Sequence, residues 1–165
     1  MTNSNSYTVP GLSNDQGARV AALLQDRLNA YNDLHLTLKH IHWNVVGPNF
    51  ISVHEMLDPQ VETVRGFADE VAERIATLGS SAKGTPGTIV DGRSWDDYSI
   101  GRATAIEHLG ALDLVYAGVI GDTRKAIAEI GDIDPVTEDL LIGQSGQLEL
   151  FHWFVRAHLE NSGGQ

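Results

Sequence analysis

The sequence predicts an all-α protein, a four-helix bundle whose second and third long helices are joined by a long crossover carrying a short extra helix. Three observations predict it. Apolar residues recur at helical spacing through four long segments. Cap or breaker residues bound these segments. The connection over residues 80–100 is rich in Gly, Ser and Asp, which suits a path along the outside of a bundle. At 165 residues the chain is long enough for one domain with a proper core. Its expected divisions are a flexible polar tail over 1–12, the bundle over 13–161 and a short C-terminal tail over 162–165.

Ser13-Asn-Asp-Gln16 reads as a capping box that opens helix A. Val20, Leu24, Leu28, Tyr31, Leu34, Leu38, Ile41 and Val45 follow at helical spacing, and Gly47-Pro48 ends the element. Helix B spans about Asn49 to Leu78, with Gly79-Ser-Ser as its stop. Within the crossover, Thr88 to Asp91 suits one short helix. Helix C is expected from about Gly101 to Ile130, with Ile106, Leu109, Leu112, Leu114, Val119 and Ile127 as its apolar positions. Asp134 caps helix D, Pro135 takes its first position, and the helix runs to about Glu160.

Composition narrows the chemistry. The chain has no cysteine, which excludes disulfides, thiolate zinc sites and thiol catalysis. A net charge of −11 disfavours nonspecific nucleic-acid binding by the body of the protein and suits the collection of cations. No apolar run approaches membrane-spanning length, and the N-terminus lacks the charged and apolar regions of a signal peptide, so a cytoplasmic location is expected. Walker, G-x-G-x-x-G and G-x-S-x-G motifs are absent.

The residues suited to metal chemistry concentrate between positions 39 and 79. Helix B carries His54 and Asp58 at spacing i, i+4, then Asp69 and Glu73 at the same spacing. With His54 at 0°, Asp58 falls at about 40°, Asp69 at about 60° and Glu73 at about 100°. The apolar face of the same helix centres near about −80°, so the ligand face points away from the core. Asp58 and Asp69 are roughly 16 Å apart along the axis, too far for one site on one helix. A two-fold axis near position 63.5 resolves this, because it is the midpoint of both His54/Glu73 and Asp58/Asp69. An antiparallel copy of the helix would set His54 against Glu73 and Asp58 against Asp69. Glu62 and Arg65 share that midpoint, which places opposite charges across the axis. A hairpin centred near Pro48 also sets His42 opposite His54. Each of these residues alone reads as ordinary helix surface; the shared register reads as a site with two imidazoles from one subunit and carboxylates from both. Imidazole with carboxylate and no sulfur suits iron, manganese or zinc.

Other candidates are weighed beside it. An intrabundle di-iron site needs a Glu-x-x-His motif on each of two helices. Only Glu149-Leu-Phe-His152 fits, and it reads as ordinary helix surface. Lys39, one turn before His42, is placed to pair with an interface carboxylate. Trp43 could take up stray oxidising equivalents beside a redox site, or simply be an aromatic beside the core. Asp132, Asp134, Glu138 and Asp139 crowd the start of helix D, where cap and dipole chemistry is the plain reading.

With these residues in hand, the sequence resembles the Dps family, the ferritin-like dodecameric shells named as DNA-binding proteins from starved cells. The likeness covers the whole bundle. It is most specific at His42-Trp43-Asn44-Val45, Gly47, Asn49-Phe50, His54-Glu55-Met56-Leu57-Asp58 and Asp69-x-x-x-Glu73-Arg74. The resemblance implies a homododecamer with ferroxidase sites at its two-folds. His42, His54 and Asp58 would come from one subunit, Asp69 and Glu73 from its mate. It further implies oxidation of Fe(II) by hydrogen peroxide or oxygen, storage of ferric mineral, and acid-lined pores for which Asp134 and Asp139 are the candidates. Gly143 stands where some members carry another acid. Members that compact DNA commonly use Lys/Arg-rich tails; here the first basic residue is Arg19 and the last Arg156, so DNA binding through the tails is not expected. A metal-dependent hydrolase using the same His/carboxylate set is the other class of reading.

Overall fold

The computed structural model describes residues 7–160. Two helical hairpins lie side by side. The first pairs α1 (Asn14–Asn44) with α2 (Phe50–Thr77), and the second pairs α4 (Ala105–Ile130) with α5 (Pro135–Leu159). Between them the crossover carries the short helix α3 (Pro86–Gly92). The start of α1 is fixed by the capping box: the Ser13 side chain accepts from Gln16 N–H, and the Gln16 side chain accepts from Ser13 N–H. The core is continuous between the hairpins, with Leu24, Tyr31, Leu38, Leu57, Ile75, Leu109, Leu112, Tyr116 and Leu148 all buried.

Two polar ties fix α2 against the second hairpin. Tyr116 Oη donates to Gln60 Oε1 at 2.6 Å, wholly inside the core, and burial drives the phenol's pKa far upward. Near the other end of α2, Arg74 Nη2 donates to Asp134 Oδ2 at 2.7 Å, and its Nε donates to Thr137 Oγ1 at 2.8 Å. Asp134 is only 4 % exposed. Its Oδ1 also caps α5 by accepting from Val136 N–H. Burial alone would raise this carboxyl's pKa; hydrogen bonds from Thr137 and Arg74 outweigh it and hold the group below its usual range.

Several sequence expectations are corrected. Helix α4 begins at Ala105, not Gly101, because Thr104 and Glu107 form a second capping box. The residues just before it, Ala103–Thr104 (β2), pair in parallel with Val45–Val46 (β1), a two-residue ladder that was not expected. Ile106 and Leu114, assigned to the apolar face of helix C, are instead exposed, Leu114 by 73 %. Residues 7–12 are not a loose tail, for Val9 and Leu12 pack against the core. Tyr7 passes so close to Gly79 that a Cβ there would lie 2.0 Å from its carbonyl oxygen, and Gly79 has φ +85°. Only glycine satisfies both demands. The rest of the expected tails, 1–6 and 162–165, lies outside the described residues, as does residue 161 at the expected end of the bundle.

Candidate metal centre

The site begins with the turn between α1 and α2. Gly47 adopts φ +100°, a left-handed conformation that glycine takes without steric cost. Phe50 N–H donates back to Gly47 O at 3.0 Å, closing the turn. This register brings the His42 and His54 rings into a stack with centroids 3.6 Å apart and planes 21° from parallel. The two residues bond reciprocally: His42 Nδ1 to His54 O and His54 Nδ1 to His42 O, each at 2.8 Å. A carbonyl can only accept, so both Nδ1 atoms carry hydrogen, and each neutral ring keeps its lone pair on Nε2. That backbone support is how metal-ligating imidazoles are commonly oriented.

Asp58 joins the pair one turn along α2, its Oδ1 3.3 Å from His42 Nδ1. The same oxygen accepts from Lys39 Nζ at 2.7 Å. Lys39's hydrogen bond, aided by its positive charge, holds the Asp58 carboxyl below its usual range. The expected pairing of Lys39 with a site carboxylate is thus present within one chain. Its ammonium rests on an oxygen that a bound cation would use. Lys39→Met keeps the aliphatic stem and removes that competitor. It is expected to tighten the binding of a divalent cation at this carboxylate by about two- to fivefold, the scale of an exposed ion pair; an anaerobic calorimetric titration with Fe(II) reads it directly.

The other sequence-predicted residues lie elsewhere. Asp69 and Glu73 are exposed on α2, and by helical rise Asp69 lies about 22 Å from His54. One chain does not bring them to the imidazoles. Among the described residues no group of three or more His, Asp or Glu side chains is arranged to hold a metal within one chain. Asp69 instead borders a shallow groove of α1 and α2 with His35 and Arg65. Glu62 and Arg65 are exposed and bond each other at 3.1 Å in the same chain. Trp43 does not pack beside the core; it is 69 % exposed, next to His42 in sequence.

The acids at the start of α5 separate. Asp134 is committed to its cap, to Arg74 and to Thr137, so its carboxylate is spent inside the chain. Asp139 is exposed. His152 is not on the helix surface as expected: it is buried, with Nε2 2.6 Å from Asp113 Oδ1. Arg156 Nε also donates to that oxygen, at 2.9 Å. Its motif partner Glu149 pairs with Arg124 instead. The Arg74–Asp134 tie escaped sequence reasoning because its partners are 60 residues apart and neither motif announces the other.

A four-helix bundle with a long second connection and an imidazole pair presented from its first hairpin defines a ferritin-like protein, and residues 21–162 match the ferritin-like domain family. The DNA protection during starvation protein of Mycolicibacterium smegmatis is 68 % identical over 160 residues, 97 % of this chain and 87 % of that protein. The solved tetragonal form of Mycobacterium smegmatis Dps superposes with a TM-score of 0.94, covering 97 % of this chain and 98 % of the other. DpsA14 from Streptomyces coelicolor is 64 % identical with a TM-score of 0.95, covering 98 % and 96 %. The chain belongs to the Dps family.

Proposed function

We propose that this protein is a ferroxidase and iron-storage shell, a homododecamer that oxidises Fe(II) with hydrogen peroxide and retains the ferric product. The observation that carries this reading is the stacked His42/His54 pair with both Nδ1 atoms bonded to backbone carbonyls. An exposed apolar border adjoins the pair: the Phe50 ring lies 4.9 Å from the His54 ring, and Ile51 follows it in α2. A second copy related by the axis near position 63.5 would cover that border and bring Asp69 and Glu73 to the imidazoles, giving nitrogen and oxygen donors suited to iron.

In this reading iron is the substrate. Two Fe(II) ions give one electron each to hydrogen peroxide. The O–O bond breaks, two protons are taken up, and two waters form beside two Fe(III). Pairing the electrons at one site avoids the one-electron cleavage that releases hydroxyl radical. The chain's own part is to hold two imidazoles in a fixed tautomer, to supply carboxylates from both copies, and to exclude bulk water with the apolar border. Protection of DNA, the property in the curated relatives' name, would follow from removing iron and peroxide together. The test is stoichiometry. Anaerobic titration of the Fe(II)-loaded protein with peroxide should consume two Fe(II) per peroxide without spin-trapped hydroxyl radical. A ratio of one, with radical adduct, would reject the proposal, as would absence of oxidation above the protein-free rate.

Asp139 is the proposed pore acid, since Asp134 is engaged within the chain. Asp139→Asn should slow oxidation at limiting iron by weakening cation attraction and leave saturated turnover nearly unchanged. An initial-rate series over Fe(II) concentration separates the two; loss at saturation would place Asp139 in the chemistry instead.

A further inference from the structure

A cavity of about 600 Å³ lies between α1, the end of the crossover and α4, outside the site described above. Its walls are largely apolar, with Leu34 from α1, Leu114, Val115 and Val119 from α4, and the rings of Trp95 and Tyr98 from the crossover. Asp33 fixes the Trp95 indole by accepting from Nε1 at 2.8 Å. Arg27 lines one end of the cavity and also the smaller cavity beside it.

Arg27 is the anomaly. It is only 6 % exposed. Its guanidinium reaches Val119 O at 3.4 Å and Thr123 Oγ1 at 3.5 Å, both neutral oxygens at the far limit of hydrogen bonding. It forms no ion pair with any carboxylate among the described residues, although several aspartates line the same cavity. Asp33 is bonded by Arg93 and Trp95, Asp97 by Arg93, and Asp122 by Lys125, while Asp96 is exposed at the cavity's edge and forms no ion pair with Arg27. Guanidinium cannot shed its proton, so burial without a charged partner is costly unless an anion completes it. Its planar fork of donors matches a carboxylate in bidentate geometry.

We infer that this cavity is a binding site for a small amphipathic monocarboxylate, its anion on Arg27 and its apolar body between Trp95 and the α4 wall. The aspartates around the cavity argue for a single negative charge, because a dianion such as a phosphate monoester would meet greater repulsion there. The site is separate from iron oxidation and goes beyond the proposed function.

Gly118 supplies a clean test. It lines the cavity from α4, and a Cβ built on it meets nothing within 4 Å. Gly118→Leu therefore fills the space without a clash at the helix, and it replaces a poor helix former by a good one. Calorimetric titration of the assembled protein would use octanoate and its neutral isostere octanamide. Octanoate is expected to bind saturably at one per chain, at least tenfold more tightly than octanamide. Gly118→Leu should abolish octanoate binding while leaving the assembly and its iron oxidation unchanged. Arg27→Gln should bring octanoate down to the octanamide level. No saturable octanoate binding, equal binding of acid and amide, or undiminished binding to Gly118→Leu would each overturn the inference. If Arg27→Gln fails to fold, the acid–amide comparison on the unaltered protein still tests the charge requirement.

Discussion

Co-assembly of two inactive variants is expected to restore iron oxidation. One chain carries His42→Ala and His54→Ala; the other carries Asp69→Ala and Glu73→Ala. In either homo-oligomer every proposed site lacks half its donors, so oxidation should fall to about the protein-free rate. A mixed dimer has two unequal sites. One combines both defects, and the other draws intact imidazoles from the second chain and intact carboxylates from the first. Two-fold geometry then sets recovery at up to about half the normal activity per mixed interface. The measurement is peroxide-driven Fe(II) oxidation on shells whose composition is verified by native mass. A centre confined to one chain predicts no recovery, and that result in verified mixed dimers would remove the shared site from consideration.

The second large effect falls on stability. Asp134→Asn keeps a side chain able to cap α5, yet leaves the Arg74 guanidinium, itself largely buried, without its counter-charge. Breaking a buried pair from one side costs about 3–5 kcal/mol, so urea unfolding at fixed protein concentration should show a loss of that size at neutral pH. The pH dependence follows from the direction of the Asp134 shift. A carboxyl whose folded pKa is depressed contributes stability that is fully present above its unfolded value of about 3.9. The contribution disappears as pH falls through the lower folded value. The gap between the native chain and Asp134→Asn should therefore stay constant from about pH 5 upward and close only below the ordinary carboxylate range. A gap that closes already between pH 5 and 7 would mean the pair is not what holds α5 to α2.

The two predictions rest on features of unequal visibility in the sequence. The facing of His42 and His54 was legible because a glycine and a proline sit midway between them, and turn chemistry is local. The Asp134 cap was legible for the same reason, through Pro135 behind it. What Asp134 does with its other oxygen was not, since Arg74 approaches from another helix and only the packed bundle decides the meeting. Helix α4 shows both outcomes. Its start was misplaced by four residues although Thr104 and Glu107 stand at capping-box spacing in plain view. Its exposed Leu114 was read as core because apolar residues lie on more than one face of that helix, and periodicity alone cannot choose among them. Arg27 gave no signal at all: a lone arginine in an amphipathic helix looks like solvent-facing charge until the fold encloses it. As for the carboxylate half of the proposed metal centre, its spacing suggested a second copy of the helix, and the single chain leaves Asp69 and Glu73 far from the imidazoles.

The two-residue ladder between Val45–Val46 and Ala103–Thr104 has an engineering consequence. It pins the end of the crossover beside the histidine turn, so the path length between α2 and α4 is decoupled from the position of the imidazoles. Lengthening a loop anchored at both ends costs only about 0.6 kcal/mol per doubling. Gly84 is exposed, and the space about it is open. A foreign peptide spliced in after Gly84 would hang from the bundle as cargo or address label, with the register of His42 and His54 held by a clasp it does not touch.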